Sequence, residues 1–185
     1  NSRTKKIADA FIAELKKTAS FKIEIVTVDE TNLAPLGRKE YENRENLLSL
    51  GLTDEKTFDY AKQFAAADLI VVAAPFWDMG IPAKLKTYFE NVSVSNLTFK
   101  CTQEGSEGLC RAERMVYITT RGMDIPDGSD MEQASPYLIA LCKFFGIKRF
   151  SMISAFGLDV RPDDADGLVD EAKIRAVRLV SELLS

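Results

Sequence analysis

The chain has 185 residues, 46% of them hydrophobic and 28% charged, with a formal net charge of −4 and a pI near 5.1. This is about one domain of sequence, enough to bury roughly 70% of its unfolded surface, and its acidic balance argues against a nucleic-acid surface. No apolar run approaches the ~20 residues that cross a bilayer and no secretory leader opens the chain, so a cytoplasmic protein with no membrane contact is expected.

Asn1-Ser-Arg-Thr-Lys-Lys runs directly into a helix whose Ile7, Ala8, Phe11, Ile12 and Leu15 share one face. Asn1, Ser2 and Thr4 are good caps, and N–H groups exposed at a helix start suit an anion. Phe21 to Val28, β-branched and mixed with charge, predicts a strand. A polar insertion follows from Thr31 to Gly51, part-helical, and Thr53 or Asp54 can cap a helix carrying Phe58, Ala61 and Ala65 inward. Asp68 to Ala74 is a short apolar strand. Pro75 to Phe89 leaves it, so Phe76, Trp77 and Asp78 fall on a loop at the carboxyl end of a buried strand, where ligands of open α/β sheets bind. Two adjacent aromatics there suggest a wall for something planar.

Pro82 suits the first turn of the next helix, whose Ile81, Leu85, Tyr88, Phe89 and Val92 form a core stripe. Thr98 to Leu109, with Gly105 and Gly108, reads as a hairpin. Met115 to Thr119 and Phe150 to Phe156 are further strands. Between them Leu138, Leu141, Cys142 and Phe145 line a helix that Gly146 can end in the left-handed conformation. A last helix from about Asp163 turns Val169, Ala172, Ala176, Val180 and Leu183 inward. Runs without strict alternation suit strands covered on both faces. Alternating strands and helices predict one doubly wound α/β domain over residues 1–185, a parallel sheet in three α/β/α layers.

The absence of histidine removes Ser-His and Cys-His catalysis and the commonest metal ligand. Cys101, Cys110 and Cys142 are too scattered for a disulfide framework or a zinc knuckle. A Cys101–Cys110 hairpin bridge is geometrically conceivable, but reduced thiols are the better reading, and no metal site is expected. In a parallel sheet three loops converge at the carboxyl edge: the helix start at Asn1 to Thr4, the Phe76–Met79 loop, and Thr119-Thr-Arg-Gly-Met123. The first could hold a phosphate, the second flank a ring, and the third reach ring edges. A phosphate-bearing flat heterocycle, FMN, fits that division.

The stretches Ala74-Pro-Phe-Trp-Asp-Met-Gly-Ile-Pro-Ala-Lys-Leu-Lys-Thr-Tyr-Phe-Glu-Asn-Val92, Leu97-Thr-Phe-Lys-Cys-Thr-Gln-Glu-Gly-Ser-Glu-Gly-Leu109 and Tyr117-Ile-Thr-Thr-Arg-Gly122 resemble, in order, the FMN-dependent NADH azoreductases of the flavodoxin-like quinone reductase superfamily. The resemblance implies that Ser2, Arg3 and Thr4 hold the FMN phosphate. Pro75, Phe76, Trp77, Asp78 and Met79 would pass beside the isoalloxazine, and Thr120, Arg121, Gly122 and Met123 would approach its pyrimidine end. Met123 replaces a glycine common in the family, and Cys101 an aromatic. Asp78 is expected to act through its backbone. For Arg121 two roles stay open, a solvated charge or a partner for negative charge on the flavin.

The resemblance also implies a flavodoxin-like fold and two-electron transfer from NADH or NADPH to a quinone, azo compound or similar small acceptor, by a ping-pong route in a homodimer. The chemistry would lie on the flavin, with no catalytic side chain. A flavodoxin-like electron carrier without substrate turnover is the competing reading. The family's opening strand has no counterpart before Asn1. In the strand order 2-1-3-4-5 that strand is central, so the domain is expected to be N-terminally incomplete.

Overall fold

In chain order the computed structural model, which describes residues 2–18 and 20–184, runs α1 (Arg3–Thr18), α2 (Arg38–Ser49), α3 (Asp59–Ala66), β1 (Leu69–Ala73), α4 (Ala83–Val92), β2 (Phe99–Thr102), β3 (Gly105–Gly108), β4 (Arg114–Thr120), α5 (Ala134–Phe145), β5 (Arg149–Ala155) and α6 (Ala165–Leu184). The main sheet is parallel in the order β1-β4-β5, with Leu69 opposite Arg114 and Arg114 opposite Arg149. Its central strand divides the interior. Met115 and Tyr117 enter one core with Phe64, Phe89, Leu138 and Phe145, whereas Val116 and Ile118 enter a second with Ile7, Phe11, Val169, Ala172 and Ala176. Such two-residue alternation through the central run Met115 to Ile118, apolar but for the Tyr117 hydroxyl, is what helices on both faces require. This is the expected three-layer arrangement.

The first core is aromatic. Phe64 meets Phe145 edge-on at 4.9 Å between centroids and Phe89 at 6.3 Å, a geometry that adds about 0.5–1.5 kcal/mol per pair to the area buried. Tyr88 and Phe89 are core residues, as their helical stripe predicts. Gly146 ends α5 at φ 82°, and Pro82 stands at the cap position of α4.

Two expectations fail. No side chain caps α3, which begins at Asp59 after a 3-10 turn over Lys56–Phe58, so neither Thr53 nor Asp54 serves. Phe21 to Val28 is not a strand. Among the described residues, 20 to 26 make no backbone–backbone hydrogen bond, and Phe21 and Ile25 are exposed. A strand is defined by its neighbour, and this segment has none.

The sheet has the matching open edge. The N–H of Ala74 donates to Ile118 O at 3.1 Å and that of Phe76 to Thr120 O at 3.1 Å. Even-numbered residues therefore face β4, while Leu69, Val71 and Ala73 turn their backbone groups to the other side.

β2 and β3 form a separate antiparallel hairpin in which Cys101 lies opposite Ser106. Cys110 lies beyond the hairpin, its N–H on Phe145 O at 3.1 Å, and all three cysteines are free. Burial pushes the Cys110 thiol up to about 12 and that of Cys142 to about 11. The hairpin is fastened to the end of α5 by two glycines: a Cβ on Gly108 would run into the backbone of Phe145 and Gly146.

Gly108→Ala is thus expected to cost more than about 2 kcal/mol, since backbone and not a flexible side chain must move. Gly167→Ala, in α6 with open space around it, is expected to gain up to about 1 kcal/mol from helix propensity. Urea unfolding of both variants checks this opposite pair. At pH 8 half-buried Cys110 and buried Cys142 should resist iodoacetamide while exposed Cys101 is alkylated, read by peptide mass, because burial disfavours the reactive thiolate.

Candidate active site

The carboxyl edge of the sheet brings the three expected loops together. The Thr4 and Thr120 hydroxyls lie 2.6 Å apart, tying the first turn of α1 to the end of β4. The backbone bond from Phe76 to Thr120 ties the Phe76–Met79 loop to the same residue. Thr120 is therefore the meeting point, and an isosteric Thr4→Val change removes only one link.

At the start of α1 the Ser2 hydroxyl accepts from the N–H of Lys5 at 3.2 Å, a cap bond. The N–H groups of Arg3 and Thr4 have no partner among the described residues, and α1 has no acidic residue in its first turn. The Arg3 guanidinium donates to Asp159 at 2.8 Å. Thr4 is buried, so it is a link of the site rather than an exposed cap. Asn1 lies outside the described residues.

Past Pro75, Phe76 buries its ring. Trp77 and Gly80 exchange backbone bonds of 3.1 and 2.9 Å across Asp78 and Met79, whose φ values are 49° and 59°. A two-residue hairpin turn with both central φ positive normally uses Asn-Gly or Gly-Gly. Asp-Met there stores strain of roughly 1–3 kcal/mol per residue, a cost that recurs at functional sites. The turn is held because Met79 O accepts from Gln133 N at 3.0 Å and its side chain packs on the aromatic core. Trp77 is left 63% exposed. An open hollow of about 510 Å³ adjoins it, lined by Trp77, Asp78, Ile81, Lys86, Gln133 and Tyr137.

Of the two roles left open for Arg121, the solvated charge is excluded. The residue is fully buried, its guanidinium 5.4 Å from the Phe76 ring centroid and 5.9 Å from that of Phe156. It donates to Ile125 O at 2.7 Å and to Asp127 at 2.7 Å, and Asp127 also accepts from the Ser154 hydroxyl. Its Nε is buried without a protein partner. Arg121 braces the loops from within.

Gly122 has a structural use that the sequence did not announce. A side chain there would collide with the Asp159 carboxylate, so the glycine makes room for Asp159. The carbonyls of Arg121, Gly122 and Met123 accept from Leu158, Asp159 and Gly157 at 3.2, 2.9 and 2.8 Å. The N–H groups of Gly122 and Met123, like those of Asp78 and Met79, have no partner among the described residues. Both loops thus keep donors for an outside acceptor, as a heterocycle edge rich in carbonyls and ring nitrogens would need.

Asp127, Phe156 and Asp159 were not among the sequence candidates. Asp159 follows the end of β5 at the same sheet edge, so extending the carboxyl-edge rule to that strand finds it. Asp127 and Ser154 carry no local signal.

With this geometry in place, comparison with known proteins places the chain. The flavodoxin-like fold family matches residues 1–180. The chain is 39% identical over 173 residues to an FMN-dependent NADH:quinone oxidoreductase of Clostridium beijerinckii, covering 92% of this chain and 86% of that protein. It is 35% identical over 185 residues to one from Coprothermobacter proteolyticus, covering 98% and 92%. The chain belongs to this flavodoxin-like family. Solved members share its fold: an azoreductase from Bacillus anthracis str. Sterne superposes with a TM-score of 0.85 at 23% identity, over 98% of this chain and 92% of that one. An FMN-dependent NADH-azoreductase from Bacillus anthracis str. Ames Ancestor, in complex with FMN, gives 0.80 at 24%, over 97% and 92%. Within the family frame, Ser2 to Thr4, Phe76 to Met79 and Thr120 to Met123 lie on neighbouring loops. Among the described residues no helix is long and apolar enough to cross a membrane, and no group of three or more potential ligands could hold a metal.

Arg121→Met, which keeps the apolar stem but removes the guanidinium, is expected to cost about 3 kcal/mol through the lost ion pair and carbonyl bond. Thr4→Val should cost about 1 kcal/mol. Chemical denaturation measures both.

Proposed function

We propose that the chain binds FMN at this edge and acts as an oxidoreductase passing two electrons from NADH or NADPH to quinones, azo compounds or similar acceptors. The observation that carries this reading is the pairing of free N–H donors on two loops with an exposed indole and a helix start poor in negative charge. Such a set suits one ligand with a flat acceptor-rich ring and an anionic tail. The relatives named for FMN-dependent NADH:quinone oxidoreduction support the same assignment. When bound, the cofactor supplies the redox chemistry. The chain's part is to hold and orient it: Ser2, Arg3 and Thr4 at the phosphate, Trp77, Asp78 and Met79 beside the ring on a turn strained before binding, Gly122 and Met123 at its pyrimidine edge. Asp78 contributes its N–H, not acid chemistry.

We further place the enzyme in the cytoplasm as a homodimer with a ping-pong order of substrates. Free thiols support the first assignment. The exposed apolar surface of Trp77, Met123 and Met131 supports a subunit boundary beside the site. Residues 1–185 form one domain whose sheet takes a further strand between the open edge of β1 and Phe21 to Val28. Leu69, Val71 and Ala73 on one side and an unpaired β-branched segment on the other support that position.

Protein incubated with FMN is expected to quench flavin fluorescence and to oxidise NADH with menadione in steady state, giving parallel double-reciprocal plots. Binding without turnover would leave an electron carrier instead. Trp77→Ala should weaken FMN binding about tenfold without changing the unfolding midpoint in urea of the unliganded protein by more than about 0.5 kcal/mol equivalent.

A further inference from the structure

We infer that Asp159 sets the affinity of this site for a phosphate-bearing flavin, because its carboxylate holds the cation that the phosphate needs. The inference rests on the FMN reading and concerns a residue outside the expected set. Asp159 is fixed by its backbone, with its N–H on Gly122 O at 2.9 Å. Its carboxylate occupies the space that the missing Gly122 side chain leaves and accepts from Arg3 Nη1 at 2.8 Å. It thereby sits where three elements meet: the start of α1, the Thr120–Met123 loop and the segment after β5.

Charge at the start of α1 gives this placement its meaning. The helix carries no acidic residue in its first turn, although a helix start favours negative charge. Asp159, distant in sequence, is the anion paired with Arg3 there, whereas Lys5 and Lys6 pair with Asp9 and Asp166. A phosphate held by the Arg3 and Thr4 N–H groups would meet Arg3 already engaged and a carboxylate nearby. The guanidinium would have to exchange one anion for another, and the displaced carboxylate would face the phosphate as a like charge. A flavin lacking the phosphate meets neither cost. Asp159 is therefore a specificity element directed at the phosphate and not at the ring.

A second ion pair offers an internal comparison. Arg161 donates to Asp124 at 2.9 Å, joining the same two segments without touching α1. Removing that charge perturbs the loops equally but leaves Arg3 alone.

The experiment measures dissociation constants for FMN and riboflavin by fluorescence titration at low salt, for the natural chain, Asp159→Asn, Asp124→Asn, Arg3→Gln and the Arg3→Gln/Asp159→Asn double variant. Asp159→Asn is expected to tighten FMN by about fivefold or more and to leave riboflavin within about twofold, the scale of one exposed charge interaction. The gain should shrink at 0.5 M salt and change in the Arg3→Gln background, where only the like-charge repulsion between Asp159 and the phosphate remains. Asp124→Asn should not separate the two flavins. Equal tightening of both flavins by Asp159→Asn, no change, or weaker FMN binding would each overturn the inference while leaving the FMN reading standing. If the natural chain binds neither flavin, the FMN reading falls and takes this inference with it. As a readout independent of flavin, inorganic phosphate should raise the melting temperature of Asp159→Asn more than that of the natural chain. An equal rise in both would count against the inference.

Discussion

A guanidinium with no exposed surface lies beneath the candidate site, and the loops are arranged around it. Arg121 has Phe76 and Phe156 against its plane and Asp127 and Ile125 on its donors. Burying a cation is costly unless it is paired and bonded. Every element that satisfies Arg121 is therefore held in one arrangement, and those elements are the loops after β1, β4 and β5. The position of the backbone at the candidate site follows from a charge buried beneath it.

The same economy explains the backbone polarity of the site. The carbonyls of residues 121 to 123 turn to the segment after β5, and the N–H groups of Gly122 and Met123 are left without a partner among the described residues. Across the site the Asp78–Met79 turn does likewise at the expense of two positive φ angles. Strain and buried charge, both unfavourable alone, are each offset by the aromatic core on which these loops rest.

What was legible in the sequence had local causes. β1, β4 and β5 stand within a residue or two of their apolar runs, because helices on both faces demand such runs whatever the neighbour. Gly146 announced the end of α5 because only a residue tolerant of positive φ fits there. Phe21 to Val28 carried the same composition as a strand yet forms none, since pairing is not encoded in one segment. The loops at Ser2, Phe76 and Thr120 were placed correctly by topology. For Arg121 two roles stayed open because burial of a charge depends on Asp127, Phe76 and Phe156, which no spacing rule joins. Gly122 has a use that no local pattern announced: its missing side chain makes room for the Asp159 carboxylate.

Trp77 is the only tryptophan in the chain, and it stands exposed on the strained turn between Phe76 and Gly80. Indole emission is sensitive to polarity and to nearby energy acceptors, so the tryptophan fluorescence of this protein, excited selectively beyond the tyrosine band, comes from one place and reports on that place. Events elsewhere, such as fraying of α6 or opening of the hairpin, leave it largely silent. The residue that walls the site is also a built-in optical label for it, without any dye or added probe.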